Sequence, residues 1–192
     1  MLILGSRLIN IPIMGLQTGT RLATTKVPII DPSNLKILAY EAEGALLSYH
    51  PSFIRINDVR ELSDAGMIID SNDEFVAIDD VIKLKEVYEL DFNPINMIVV
   101  NESKRKLGKV YNYSLDTDNF VIQQLNVKPS ILKSLSDSEL LIHRSQIIEI
   151  NNYEIIVKTT AEKLKPIAKP KNQMSYINPF RSQSPQAENR EI

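Results

Sequence analysis

Ile29-Ile30-Asp31-Pro32-Ser33-Asn34-Leu35-Lys36-Ile37 is answered 85 residues later by Ser114-Leu115-Asp116-Thr117-Asp118-Asn119-Phe120-Val121-Ile122. Each stretch is a turn between two apolar arms. Asp can bond its own backbone two residues on, Pro sets φ in the first copy, and Asn tolerates positive φ. The same offset sets Arg21-Leu22-Ala23 on Lys106-Leu107-Gly108, and an offset of 88 sets Phe53 to Leu62 on Leu141 to Ile150. Residues 8–78 are therefore echoed by 93–160, with one three-residue insertion. A repeat this long is a small domain used twice rather than a solenoid unit.

The arms read as strands. Leu8-Ile9-Asn10-Ile11-Pro12-Ile13-Met14 alternates with period two, which predicts a half-buried strand with Pro12 at an edge or bulge. Leu35 to Tyr40 and Phe120 to Leu125 return as second arms of hairpins, and Met67-Ile68-Ile69 and Ile155-Ile156-Val157 read as closing strands. Many short strands with close turn signals mean an all-β barrel or sandwich. Asp79-Asp80 before Val81 to Tyr88 reads as an N-cap and a short helix with Val81, Leu84 and Tyr88 on one face, with a strand as the competing reading. Pro129 to Leu135 reads as one helical turn. The expected division is 1–78 for copy one, 79–92 for a linker, 93–160 for copy two and 161–192 for a tail. That tail interleaves Lys163, Lys165, Lys169 and Lys171 with Pro166 and Pro170, too few apolar residues to offset chain entropy, and is expected to be disordered.

Composition narrows the chemistry. The chain has no cysteine, which removes disulfides and thiolate sites, and it has no apolar run of the about 18 residues a membrane helix needs. A cytoplasmic location is expected. Charge is uneven: residues 8–80 carry five Lys/Arg against eleven Asp/Glu, 92–160 eight against seven, and 161–192 six against three. The copies are thus expected to present different faces to partners.

Motif tests mostly exclude. His143-Arg144-Ser145 pairs a rare histidine with a hydroxyl, but no nucleophile-elbow glycines flank the serine, so the triplet reads as a structural strand or rim. Asp116-Thr117-Asp118-Asn119 lacks the glycine and glutamate of a calcium loop, where Val121 and Val127 stand. Gly15-Leu16-Gln17-Thr18-Gly19 lacks the Lys-Ser/Thr of a phosphate loop. No catalytic residue, metal site or cofactor is implied. Two candidate binding regions remain. Lys104, Arg105, Lys106 and Lys109 form a basic cluster able to contact phosphates, without interleaved aromatics. Met174, Tyr176, Ile177 and Phe180 form an apolar island in the polar tail, of the kind that docks on a partner.

Leu107-Gly108-Lys109-Val110-Tyr111-Asn112-Tyr113-Ser114-Leu115-Asp116 resembles the opening of a PRC-barrel domain, in which a Gly-Lys/Arg-Val step leads into a strand and an Asp-centred turn. Asp58-Val59-Arg60-Glu61-Leu62 followed by Gly66-Met67-Ile68-Ile69-Asp70 resembles that family's acidic-Val step and last strand. Copy one departs by placing Ala23 where glycine is usual, and copy two has Gln146 where copy one has Asp58. The resemblance implies two tandem, small Src-homology-3-like barrels. Relatives include the cytoplasmic part of a photosynthetic reaction-centre subunit and the C-terminal domain of a ribosome maturation factor. It implies an interaction module, not an enzyme: an adaptor that binds a protein partner or, alternatively, an RNA- or ribosome-associated maturation accessory. Gly108 is expected at a bulge or a close backbone approach.

Overall fold

The structure is a computed structural model and describes residues 1–129 and 139–158. All its strands belong to one 14-stranded sheet. In chain order they are β1 (Leu2–Leu4), β2 (Pro12–Gly15), β3 (Thr20–Asp31), β4 (Lys36–Glu43), β5 (Ser52–Arg55), β6 (Glu61–Ser63), β7 (Gly66–Ile69) and β8 (Phe75–Val76). The helix α1 (Ile82–Tyr88) follows. Then come β9 (Ile98–Asn101), β10 (Lys106–Asp116), β11 (Val121–Pro129), β12 (Leu140–His143), β13 (Ile147–Ile150) and β14 (Glu154–Val157). No helix among the described residues is long and apolar enough to cross a membrane.

The two sequence copies pair their strands in the same way. β2, β3, β4 and β5 run antiparallel in order, β6 and β7 form a hairpin, and β7 lies parallel to β2. β9, β10, β11 and β12 repeat this, with the β13–β14 hairpin and β14 parallel to β9. The register shifts repeat as well. Those between Thr25 and Pro28 and between Ile29 and Ile30 recur between Val110 and Asn112 and between Ser114 and Leu115. Because one residue of slip turns every side chain over, matched bulges keep equivalent apolar positions facing inward in both copies.

The Asp turns close the long hairpins as expected, with one change. Asp31 Oδ1 accepts the Ser33 N–H at 3.0 Å and Asp31 Oδ2 accepts Asn34 Nδ2 at 3.2 Å. Asp116 accepts the Asp118 N–H at 3.4 Å and Asn119 Nδ2 at 3.0 Å. Burial pushes the Asp31 carboxyl up, but the hydrogen bonds from Ser33 and Asn34 and the charge of Lys83 outweigh it and hold it below the usual carboxylate range. The positive φ falls not on the asparagine but on the next residue, Leu35 at 59° and Phe120 at 51°. Asn34 is already engaged on both ends of its amide, since its Oδ1 also accepts the Lys36 N–H at 2.8 Å. The reversal passes to a large apolar residue whose burial in the core compensates the strain.

Those two residues join the copies. The Ile37 N–H donates to the Phe120 carbonyl at 2.8 Å, and the Ile122 N–H donates to the Leu35 carbonyl at 2.9 Å. Lys36 faces Val121 across this bridge. Each partner pair is the other's equivalent at the offset of 85, so the contact is isologous, as in a two-fold dimer, but made within one chain. One apolar cluster runs through the junction, with Ile13, Ile37, Tyr40 and Met67 from copy one and Val99, Leu115, Ile142 and Ile155 from copy two.

Three local expectations change. The strand expected from Leu8 begins at Pro12, preceded by a 3-10 turn at Gly5–Leu8 and by Asn10 at φ 60°. The buried Thr25 hydroxyl donates to the Leu8 carbonyl at 2.7 Å and accepts the Ile11 N–H at 3.1 Å. The Asn10 N–H donates to the Thr25 carbonyl at 2.9 Å and the Thr25 N–H to the Ile11 carbonyl at 3.0 Å, so this stretch is held on β3 by both the side chain and the backbone of Thr25. The segment before that turn pairs with the other copy, Leu2 opposite Asp116 and Leu4 opposite Ser114. In the linker, Val81 is the N-cap without a side-chain bond, while Asp79 and Asp80 lie in a preceding 3-10 turn. The buried helix positions are Leu84 and Val87, packed on Ile29, Ala39 and Phe53. Tyr88 is 40% exposed and meets the Phe53 ring edge-on. The equivalents of Ile29, Ala39 and Phe53 in copy two are Ser114, Gln124 and Leu141, a face too polar to require a covering helix. The expected helical turn after Pro129 lies outside the described residues.

Tyr40 is fully buried, and its hydroxyl has no hydrogen-bond partner among the described residues. Leaving a buried hydroxyl unpaired costs about 1–3 kcal/mol. Tyr40→Phe keeps the ring and removes the orphan, so it should raise stability by about 0.5–2 kcal/mol in a denaturant titration. A loss of stability would mean that a bridging group serves this hydroxyl.

Candidate functional site

The basic residues picked out from sequence run from the β9–β10 turn into β10. Lys104 sits in the β9–β10 turn at φ 59°, and its ammonium pairs with Glu154 at 2.6 Å. The Arg105 N–H is held by Asn101 Oδ1 at 2.9 Å, and Lys106 opens β10. Lys109 instead lies across from Lys128 on β11, a pairing set by register that the spacing of the basic residues does not reveal. Like charges directly opposite repel by about 0.2–1 kcal/mol, so this pair favours an anionic neighbour. Tyr111 follows Lys109 by two residues, and both are exposed and alternate with buried Gly108 and Val110. Burial and the nearby Glu139 carboxylate push the Tyr111 hydroxyl up. Met174, Tyr176, Ile177 and Phe180 lie outside the described residues.

His143 and Ser145 do meet, in a structural role. The Ser145 N–H donates to His143 Nδ1 at 3.2 Å, the Ser145 hydroxyl lies 2.8 Å from the same nitrogen, and Gln146 Oε1 accepts the His143 N–H at 2.8 Å. These bonds tie off a 3-10 turn at Arg144–Gln146. Copy one ties the equivalent turn with an ion pair, Arg55 Nε to Asp58 Oδ2 at 2.6 Å and the second guanidinium nitrogen to Oδ1 at 3.0 Å. Gln146 stands at the position of Asp58 because one copy closes this turn with charge and the other with an amide. Among the described residues no three His, Asp or Glu side chains are placed to hold a metal ion.

A groove that sequence reasoning missed lies beside the junction. It measures about 200 Å³, with a floor of Ile37, Leu38, Ile56 and Leu84 and a rim of Lys36, Arg55 and Lys83. Lys83 and Leu84 of α1 form one wall of it, on a helix that packs on β3, β4 and β5 through Ile29, Ala39 and Phe53. Arg55 is pinned by Asp58, Lys83 stands 3.6 Å from Asp31, and Lys36 has no ion pair among the described residues. Past Lys36, Ile56 and Asn57 the groove opens into a more polar cleft of about 310 Å³, walled by Val59 to Leu62 on one side and by Thr117 to Phe120 of copy two on the other. Copy one is acidic overall, yet two of its five cations gather here with Lys83. No spacing rule brings together residues 36, 55 and 83; only the folded register does.

No protein-family model matches this chain, and no curated protein is similar to it in sequence.

Proposed function

We propose that this chain is a non-enzymatic interaction protein of the cytoplasm, built from two PRC-type, Src-homology-3-like barrels, that binds a protein partner. The observation that carries the reading is the groove at the junction of the copies: an apolar floor, a cationic rim and a polar extension reaching both copies. Apolar concavities with a few placed charges bind ligands and peptides, and they concentrate where two units meet. The matched pairing of the two copies, bulge for bulge, supports the barrel assignment. The commitment of His143 Nδ1 to a backbone N–H argues against its use as a catalytic base.

A second reading has its own observation. Lys109, Lys128 and Tyr111 together suit an anionic, stackable partner, as an RNA- or ribosome-associated factor requires. Capture with the full chain as bait separates the two. The protein-partner reading expects retention that survives high salt and is lost in the double variant Lys36→Glu/Lys83→Glu. The nucleic-acid reading expects retention that falls steeply with salt and is lost in Lys109→Glu/Lys128→Glu. Protein capture indifferent to the groove variant would overturn the site assignment.

A further inference from the structure

The two copies differ at one edge. In copy one the outer side of β5 is closed by β8, with Phe53 opposite Val76 and Ile54 opposite Phe75. Phe75 is buried and belongs to the shared core, and a 3-10 turn at Asn72–Glu74 leads into it. In copy two β12 stands where β5 stands, paired with β11 in the equivalent register. No described residue pairs with its other side. Leu141 and Ile142 hold the places of Phe53 and Ile54. An edge strand with unpaired backbone groups is a template for another strand, and copy one already displays the strand that fits.

We infer that the outer edge of β12 is a strand-acceptor site, independent of the groove, for an extended segment of a partner protein. β8 is the template for that segment. It enters antiparallel and sets one aromatic or large aliphatic residue opposite Ile142, as Phe75 sits opposite Ile54. The next residue falls opposite Leu141 and points to the outer face. In copy one that residue is Val76, which joins the apolar cluster under α1. In copy two the same face carries Ser114 and Gln124 and, among the described residues, no helix, so a polar residue suits this second place. The segment recognised is therefore a short strand with an apolar anchor followed by a polar residue. Backbone pairing supplies affinity and the anchor supplies selectivity.

The probe is a peptide of residues 71–78 of this chain with Val76→Thr, added to the isotope-labelled full chain. The expected result is amide shift changes concentrated on Leu140 to His143, with affinity reduced about tenfold or more when Phe75→Ala is added to the peptide. Shift changes on Ser52 to Arg55 instead would mean exchange with β8 and would overturn the assignment. So would binding insensitive to the anchor, or no binding. A chain ended at Lys158 is the second arm. Binding there but not to the full chain would mean that the chain's own later residues occupy the edge, which also overturns a partner site.

Discussion

Gly108→Val should cost about 3 kcal/mol or more and lower the melting temperature by about 6–12 °C. A Cβ at Gly108 would stand 2.2 Å from the Lys128 carbonyl oxygen and 2.7 Å from Val127 Cγ1. The closer of these is backbone, held in the β10–β11 ladder, and cannot swing aside. The same crossing in copy one explains why glycine is not needed at Ala23. Gly108 faces Pro129, whereas Ala23 lies against Gly44, the residue at the same offset from Pro129. A Cβ at Gly44 would come within 2.5 Å of the Leu22 carbonyl oxygen and 3.1 Å of Ala23 Cβ. The crossing thus has room for one β-carbon, and each copy places it on a different strand. Ala23→Gly removes a buried methyl and loosens the chain, and should cost about 1–2 kcal/mol. Gly108→Ala, which adds the Cβ alone, should lose most of what Gly108→Val loses. Equal, small shifts for all three variants would contradict the close approach.

Phe120→Ala is expected to cost about 3–5 kcal/mol, the range for truncating a buried phenylalanine. Phe120 is 5% exposed, lies in the core cluster common to both copies, and supplies the carbonyl that accepts the Ile37 N–H. Its backbone sets a sharper expectation. At a φ of 51° alanine keeps the strain and loses the ring, whereas glycine is at ease there. Phe120→Gly should therefore be no less stable than Phe120→Ala, reversing the usual order at a strand end. Urea titration of the two variants measures this. Glycine markedly below alanine would mean that the left-handed turn is not what holds this residue.

The hairpins were legible because their turns carry their own mechanism: Asp31 and Asp116 bond the same relative positions in both copies. The conformation of Leu35 and Phe120 was not. Large apolar residues rarely take positive φ, and only their burial at the junction makes it tolerable. The stretch from Leu8 to Ile11 misled because period-two alternation also fits a chain tied to a single residue, and Thr25, whose hydroxyl and backbone hold it, lies 14 residues beyond Ile11. Gln146 in place of Asp58 read as a departure from the repeat; the folded turn shows an exchange of one tie for another. Sites fared worst, because cations separated by whole strands meet only through register. Lys109 with Lys128, and Lys36 with Arg55 and Lys83, are both of this kind.

The most direct test of the account is photo-crosslinking from the groove in the full chain. A benzophenone side chain is placed at Asn57, where groove and cleft meet, and in a separate variant at Tyr153, which is 84% exposed and outside both. The account predicts a discrete protein adduct from position 57, persisting at high salt and removed by Lys36→Glu/Lys83→Glu, and none from position 153. An adduct of equal yield from both positions, or one that consists of nucleic acid, would contradict it.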